Sequence, residues 1–378
     1  MSGVYSEFQV QFATLTTGHK RITYITNPMN SDANTPGPVS AHNRAIAIWL
    51  LVCCALVFAM VILGGVTRLT GSGLSMVEWD PIFGVIPPLS QEEWTHVFEL
   101  YRQSPEYQKI NIGMDLAGFK YIYWFEFAHR LLGRSIGMVF LLPFLFFLAL
   151  GRINRPLVPR LVIMFVLGGL QGLLGWYMVR SGLVDNPHVS QYRLTAHLGL
   201  AVIIYAYMFH VALGQLPVRH PLEATPASLR RWMLGLGVLI FITLLSGGFV
   251  AGLKAGHAYN TFPLMNGRWV PEVIFAQQPL WRNFFENSAT VQFDHRVLAT
   301  LVFTGTLILW LVSGRRRLSG QIRIGIHLLM AAAVLQVTLG ISTLLLHVPV
   351  ALAATHQGGA LLLFTVALYV NQRMRQKQ

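Results

Sequence analysis

Two short stretches of this chain carry the same chemistry with one difference. Residues 123–134, YWFEFAHRLLGR, set Glu126 three positions before His129, and residues 291–300, VQFDHRVLAT, repeat the pattern around His295 with Gln292 where the acid should stand. Three residues apart on a helix, two side chains share a face. A carboxylate there can accept a proton, steady a developing cation or orient water, whereas glutamine can only hydrogen-bond. The plainer reading of Glu126 is an ion pair with Arg130 at an exposed helix start. Two more histidines, His197 in TAHLGLA and His356 in ATHQGGA, complete a set of four.

The elements that must position these side chains are membrane helices. The chain has 378 residues, 54% hydrophobic and 11% charged, far from an ordinary soluble composition. Apolar runs of about 20 residues, long enough to cross a hydrocarbon core, begin near Ala45, Phe127, Pro159, Thr195, Trp232, His295, Ile324 and Ala351. This predicts an all-α polytopic membrane protein with eight spans. The first run follows a polar arm, so it does not read as a cleavable signal peptide. Cys53 and Cys54 are adjacent within the first span and cannot pair with each other.

The formal charge of +13 does not point to nucleic acid, because of where it falls. With the N-terminus, the even-numbered loops and the C-terminus on one side, that side holds sixteen Lys and Arg against three acids, and the other side balances. The positive-inside rule then places both termini in the cytoplasm or its organellar equivalent.

The chain also resembles itself. GGVTRLTGSGL at residue 64 matches GGFVAGLKAGH at 247 loosely, EFAHRLLGR matches QFDHRVLAT, LQGLLG at 170 matches LQVTLG at 335, and TAHLGLA matches ATHQGGA, at offsets of 183, 166, 165 and 159. A duplicated four-helix unit explains them. Four spans per unit is an even number, so the two bundles should be related by a pseudo-two-fold axis along the membrane normal rather than inverted. The expected divisions are a disordered cytoplasmic arm over 1–43, an N-terminal bundle over 44–216, an inner linker over 217–231, a C-terminal bundle over 232–371 and a basic tail over 372–378. Two long outer loops, near 67–125 and 254–292, put function on the outer side. Within the first, SQEE at 90–93 is a capping-box pattern that opens a short amphipathic helix.

Of the thirteen histidines, those in loops, tails or near other helix ends have bland readings. His129, His197, His295 and His356 are expected within about the first turn of four helices running inward, at one depth and two per repeat. Ionisable groups at membrane depth read as functional. Zinc asks for three or four protein ligands, whereas haem takes two axial ones. The pattern therefore predicts two bis-histidine haem sites, His129 with His197 and His295 with His356, which serve as the metal ligands. Gly168, Gly169, Gly172, Gly175, Gly358 and Gly359 give a flat macrocycle room or simply allow close helix packing. Arg130, Arg134 and Arg296 pair haem propionates or snorkel to the interface. The Glu/Gln inequality predicts that the first half does chemistry and the second moves electrons.

These motifs, with GGVTRLTGSGLSMVEWDPIFGVIPP and AGHAYNTFPLMNGRWVP, closely resemble the haem A synthase family over about residues 45–369, in its proteobacterial and mitochondrial form. Members of another branch carry a cysteine pair in the first outer loop, which is missing here, so no thiol step transfers. The resemblance implies an oxidoreductase that converts a ring methyl of haem O to a formyl group by successive hydroxylations, giving haem A for cytochrome oxidase. It implies a resident haem B cofactor on His295 and His356, substrate haem O on His129 and His197, and Glu126 essential to turnover. It further implies an electron donor, haem O synthase as a delivering partner, and surrounding lipid, in a bacterial inner membrane or, alternatively, a mitochondrial one. The rival reading is a bis-histidine di-haem cytochrome that relays electrons from quinol. A haem transporter ranks last, because the inner helix ends offer no comparable ligands.

Overall fold

The structure, a computed structural model, describes residues 41–78, 84–180, 182, 187–216 and 225–375. The arm read over 1–43 falls almost wholly outside these residues, as do 217–224 of the linker and 376–378 of the tail.

The described chain is helical: α1 (Ala41–Leu69), α2 (Gln91–Arg102), α3 (Pro105–Lys109), α4 (Leu116–Ala149), α5 (Val158–Arg180), α6 (Gln191–Gly214), α7 (Ala227–Gly252), α8 (Asn283–Glu286), α9 (Ser288–Gly314), α10 (Gly320–Leu345) and α11 (Val350–Arg375). Eight of them, α1, α4, α5, α6, α7, α9, α10 and α11, are long and apolar enough to cross a membrane. Their polarity is arranged for lipid. Leu50, Cys53, Met233, Leu309, Leu329 and Leu361 are buried between helices, while Leu142, Phe146, Ile163, Val166 and Leu328 are exposed. Apolar residues on both faces are what a lipid-solvated bundle requires.

Helix neighbours follow one pattern twice. In the first half α1 packs on α4 and α6, and α5 on α6 and α4; in the second α7 packs on α9 and α11, and α10 on α11 and α9. The halves meet through α6 on α7, α1 on α11 and α6 on α11. Small residues let them approach. Gly65 accommodates the Gln357 side chain, which donates from Nε2 to the Val61 carbonyl at 2.8 Å. At Gly248, a Cβ would lie 3.0 Å from Thr195 Oγ1.

The long loop between α1 and α4 is structured. Ser90 and Glu93 form the expected reciprocal capping box of α2. Trp94, Tyr101, Phe119 and Tyr123 make an aromatic cluster that fastens α2 to the outer end of α4, with Tyr101 stacked on Phe119 at 5.1 Å between ring centres and Trp94 edge-on to Tyr123 at 4.9 Å.

One expectation needs correcting. The histidine-bearing helices start earlier than their apolar runs: α4 begins at Leu116 behind an Asp115 cap that accepts from Gly118 N at 2.8 Å, and α9 begins at Ser288 behind Asn287. His129 therefore lies about 20 Å along α4, and His197, His295 and His356 about 10 Å along their helices, rather than in the first turn. Hydropathy marks where lipid starts, but a capped helix continues beyond it wherever a loop layer supports it, as the aromatic cluster does for α4.

Candidate functional site

Each of the four histidines is half-buried and lies against a glycine of a neighbouring helix. A Cβ built on Gly64 would stand 3.1 Å from His129 Nε2; on Gly175, 2.9 Å from His197 Cε1; on Gly247, 3.4 Å from His295 Cε1; and on Gly340, 2.8 Å from His356 Cε1. The absent side chains make the space these rings occupy. His129 and His197 lie near enough to interact electrostatically, and so do His295 and His356.

In the second pair the ring centroids are 6.5 Å apart and the planes nearly perpendicular, at 85°. Two metal–imidazole bonds of about 2 Å each put the coordinating nitrogens about 4 Å apart and the ring centres about 6 Å apart. The observed spacing suits two axial ligands on one iron. Buried atoms without partners fit the rest of a haem: Arg296 Nε and Nη1 have none, though its Nη2 donates to the Tyr259 carbonyl at 3.1 Å. A guanidinium with free buried N–H groups is a carboxylate receptor, as a propionate requires.

Glu126 is buried and fully engaged. Oε1 accepts from Arg130 Nη2 at 2.6 Å, and Oε2 from Ser75 Oγ at 2.7 Å and Met76 N at 2.8 Å. Arg130 also donates to the Met76 and Glu78 carbonyls, at 2.9 and 3.1 Å. The ion pair with Arg130 is thus real, but it is a buried clamp on the first outer loop rather than an exposed contact at a helix start. Gln292 and Arg296 form the same clamp in the second half, both donating to Tyr259 O, at 3.0 and 3.1 Å. Only the first clamp carries a negative charge.

The first outer loop brings in a second acid. Glu106, at the foot of α3, is buried, and its Oε2 accepts from Tyr101 OH at 3.1 Å, which accepts in turn from Asn111 Nδ2 at 2.7 Å. Burial pushes the Glu106 carboxyl up to about 7, with the charge of Glu126 adding and Arg68, Lys254 and the Tyr101 hydrogen bond opposing. Arg68, at the end of α1, donates to Gly252 O at 3.0 Å and ties the end of α1 to the end of α7.

The sequence agrees with known proteins along most of its length. Residues 47–368 match the family described as cytochrome oxidase assembly protein (COX15-CtaA). Among curated relatives, the heme A synthase of Nitrosospira multiformis is 57% identical over 89% of this chain and 95% of its own. That of Nitrosomonas eutropha is 52% identical over 91% and 99%, and that of Bos taurus 47% identical over 89% and 84%. The chain belongs to the haem A synthase family.

For a member of the haem A synthase family, the sequence singled out the four histidines, Glu126, Arg130 and Arg296, and the fold gathers them into two clusters. Arg134 does not join them; it donates to the Gly84 carbonyl at 2.6 Å. Of the six glycines named for haem space, only Gly175 abuts a histidine. Gly358 packs on Ile62 and Gly359 on Gln336, and Gly168, Gly169 and Gly172 face open space. Gly64, Gly247 and Gly340 were missed, although the internal repeat pairs Gly64 with Gly247 and Gly175 with Gly340 at the quoted offsets. A glycine kept in both copies was the available signal. Glu106 left no such trace.

Proposed function

We propose that this protein is a haem A synthase, in which the first half (44–216) holds substrate haem O between His129 and His197 and the second (232–371), joined by 217–231, holds a resident haem B between His295 and His356. The observation that carries this reading is the inequality of two otherwise matched clusters: a buried carboxylate beside His129 and a neutral amide beside His295. An electron relay needs no such difference, and the relatives named above are haem A synthases. The repeated neighbour pattern supports a pseudo-two-fold axis along the membrane normal, and the charge bias supports cytoplasmic termini. The higher identity to the Nitrosospira protein than to the bovine one favours a bacterial inner membrane.

The reaction takes a ring methyl through an alcohol to a geminal diol, which loses water to leave the formyl group. With dioxygen as the oxidant, each of the two hydroxylations takes up one dioxygen, two electrons and two protons and releases one water, the electrons coming from the donor. Bound haem B supplies one-electron redox chemistry. The chain's own part is to position and to manage protons. His129 and His197 orient the substrate plane, and Arg130 holds the Glu126 carboxyl in place beside it. Ser75 and Met76 fix the carboxylate's direction through Oε2, and the clamped loop covers the site against water. Glu126 is the proton-relay group of the site. Haem O synthase is the delivering partner in this scheme, and a membrane electron donor reduces the second half.

The test is to express the protein with a source of haem O and analyse extracted haems by mass. Formyl haem should form with the wild type, while Glu126→Gln should keep its haems and accumulate haem O. Formyl haem at wild-type levels in that variant would remove Glu126 from the mechanism.

A further inference from the structure

The four imidazoles are not held alike. Ser246 Oγ lies 2.7 Å from His295 Nδ1 and 2.7 Å from the Thr243 carbonyl. Its single proton goes to that carbonyl, so the hydroxyl accepts from His295, which places the imidazole proton on Nδ1 and leaves Nε2 free to coordinate. Matching glutamines reach the backbone of His197 and His356: Gln171 Nε2 donates to the His197 carbonyl at 3.0 Å and also lies 3.1 Å from its Nδ1, and Gln336 Nε2 donates to the His356 carbonyl at 3.0 Å while the His356 Nδ1 has no partner among the described residues. His129 has neither device. At the offset that pairs Gly64 with Gly247, the counterpart of Ser246 is Leu63, which has no polar atom in its side chain. Among the described residues, no hydrogen bond reaches the His129 ring.

We infer that His129 is the yielding axial ligand, so that the first site can open a position for a small ligand on its α4 side while Ser246 keeps the second site closed. This inference rests on the two-site reading above. It also reconciles two axial histidines with a site that must admit an oxidant: an outer partner fixes ring orientation and raises ligand basicity, and its loss typically costs 10–100-fold in metal affinity. The glutamine–carbonyl contacts recur in both halves, so the sites differ in the ring tether that His295 has and His129 lacks. In the second half Ser246 holds the His295 ring, as suits a haem that only changes oxidation state. Ser246 and Leu63 act through the histidines and are positioning residues.

The experiment uses the full-length protein carrying both haems, reduced and titrated with carbon monoxide by visible absorption. Wild type should bind carbon monoxide at one haem. Leu63→Ser should weaken that binding by about 10-fold, and Ser246→Ala should make the second haem reactive while its ferric spectrum stays that of a bis-histidine haem. Binding at both wild-type haems or at neither, or a Leu63→Ser variant with unchanged affinity, overturns the inference. The two-site reading fails separately, if His295→Ala leaves the absorption spectrum of the loaded protein unaltered.

Discussion

Replacing Gly340 by alanine should loosen haem in the second half without unfolding the bundle. The added Cβ would lie 2.8 Å from His356 Cε1 and 3.5 Å from Nε2, against an ordinary carbon–carbon contact of about 3.5 Å. The ring must retreat by about 0.7 Å. A free imidazole does this by turning, at a rotamer cost of about 0.5–1.5 kcal/mol, which the gain of about 1 kcal/mol for alanine over glycine in a helix offsets. An imidazole bound to iron has no such freedom, because the bond fixes its far edge while Gln336 holds its carbonyl. The penalty therefore falls on haem affinity, at about 10–100-fold, or roughly 1.4–2.8 kcal/mol. Gly247→Ala is the internal control: its Cβ would meet His295 Cε1 at 3.4 Å, an ordinary contact, in the same site and with the same helix gain. Haem titration of the apoprotein by absorbance, paired with thermal unfolding without haem, separates the effects. Equal haem loss in both variants, or a Gly340→Ala apoprotein that melts early yet binds haem normally, would refute the reasoning.

Glu126→Ala should destabilise the protein by about 1–3 kcal/mol, because it removes the acceptor that Ser75 Oγ, Met76 N and Arg130 Nη2 share, whereas Glu126→Gln keeps one acceptor oxygen and should cost less; thermal unfolding in detergent distinguishes them. The Glu106 carboxyl, raised from 4.5 to about 7, favours the folded state only while protonated. Its contribution is complete below about pH 4.5 and lost as pH rises to about 7, a fall of roughly 3 kcal/mol. Unfolding midpoints between pH 5 and 8 should carry this slope in the wild type and lose it in Glu106→Gln. Arg296→Ala should lower haem affinity in the second half by about 10-fold through loss of a propionate partner, and haem with esterified propionates should bind wild type and variant alike in a competition titration.

Much of the site was legible because its signals are local. The i,i+3 spacing of Glu126 and His129 and its imperfect copy at Gln292 and His295 follow from one helix's periodicity, and the repeat offsets paired the histidines before any helix was placed. The true start of α4 was hidden, since Asp115 and the aromatic cluster around Phe119 extend it past the apolar run. Glu106 was hidden too: nothing in SPEYQK marks its burial or its hydrogen bond from Tyr101, which the folded loop creates.

By itself the sequence determined eight spans, two matched histidine pairs and a single unmatched acid, because hydropathy, periodicity and duplication are written along the chain. Only the tertiary structure decided that Glu126 and Arg130 clamp a loop, that a glycine faces each imidazole, and that Ser246 tethers one histidine where Leu63 leaves its counterpart free. Those are contacts between helices far apart in sequence, and their distances come from how side chains pack across an interface.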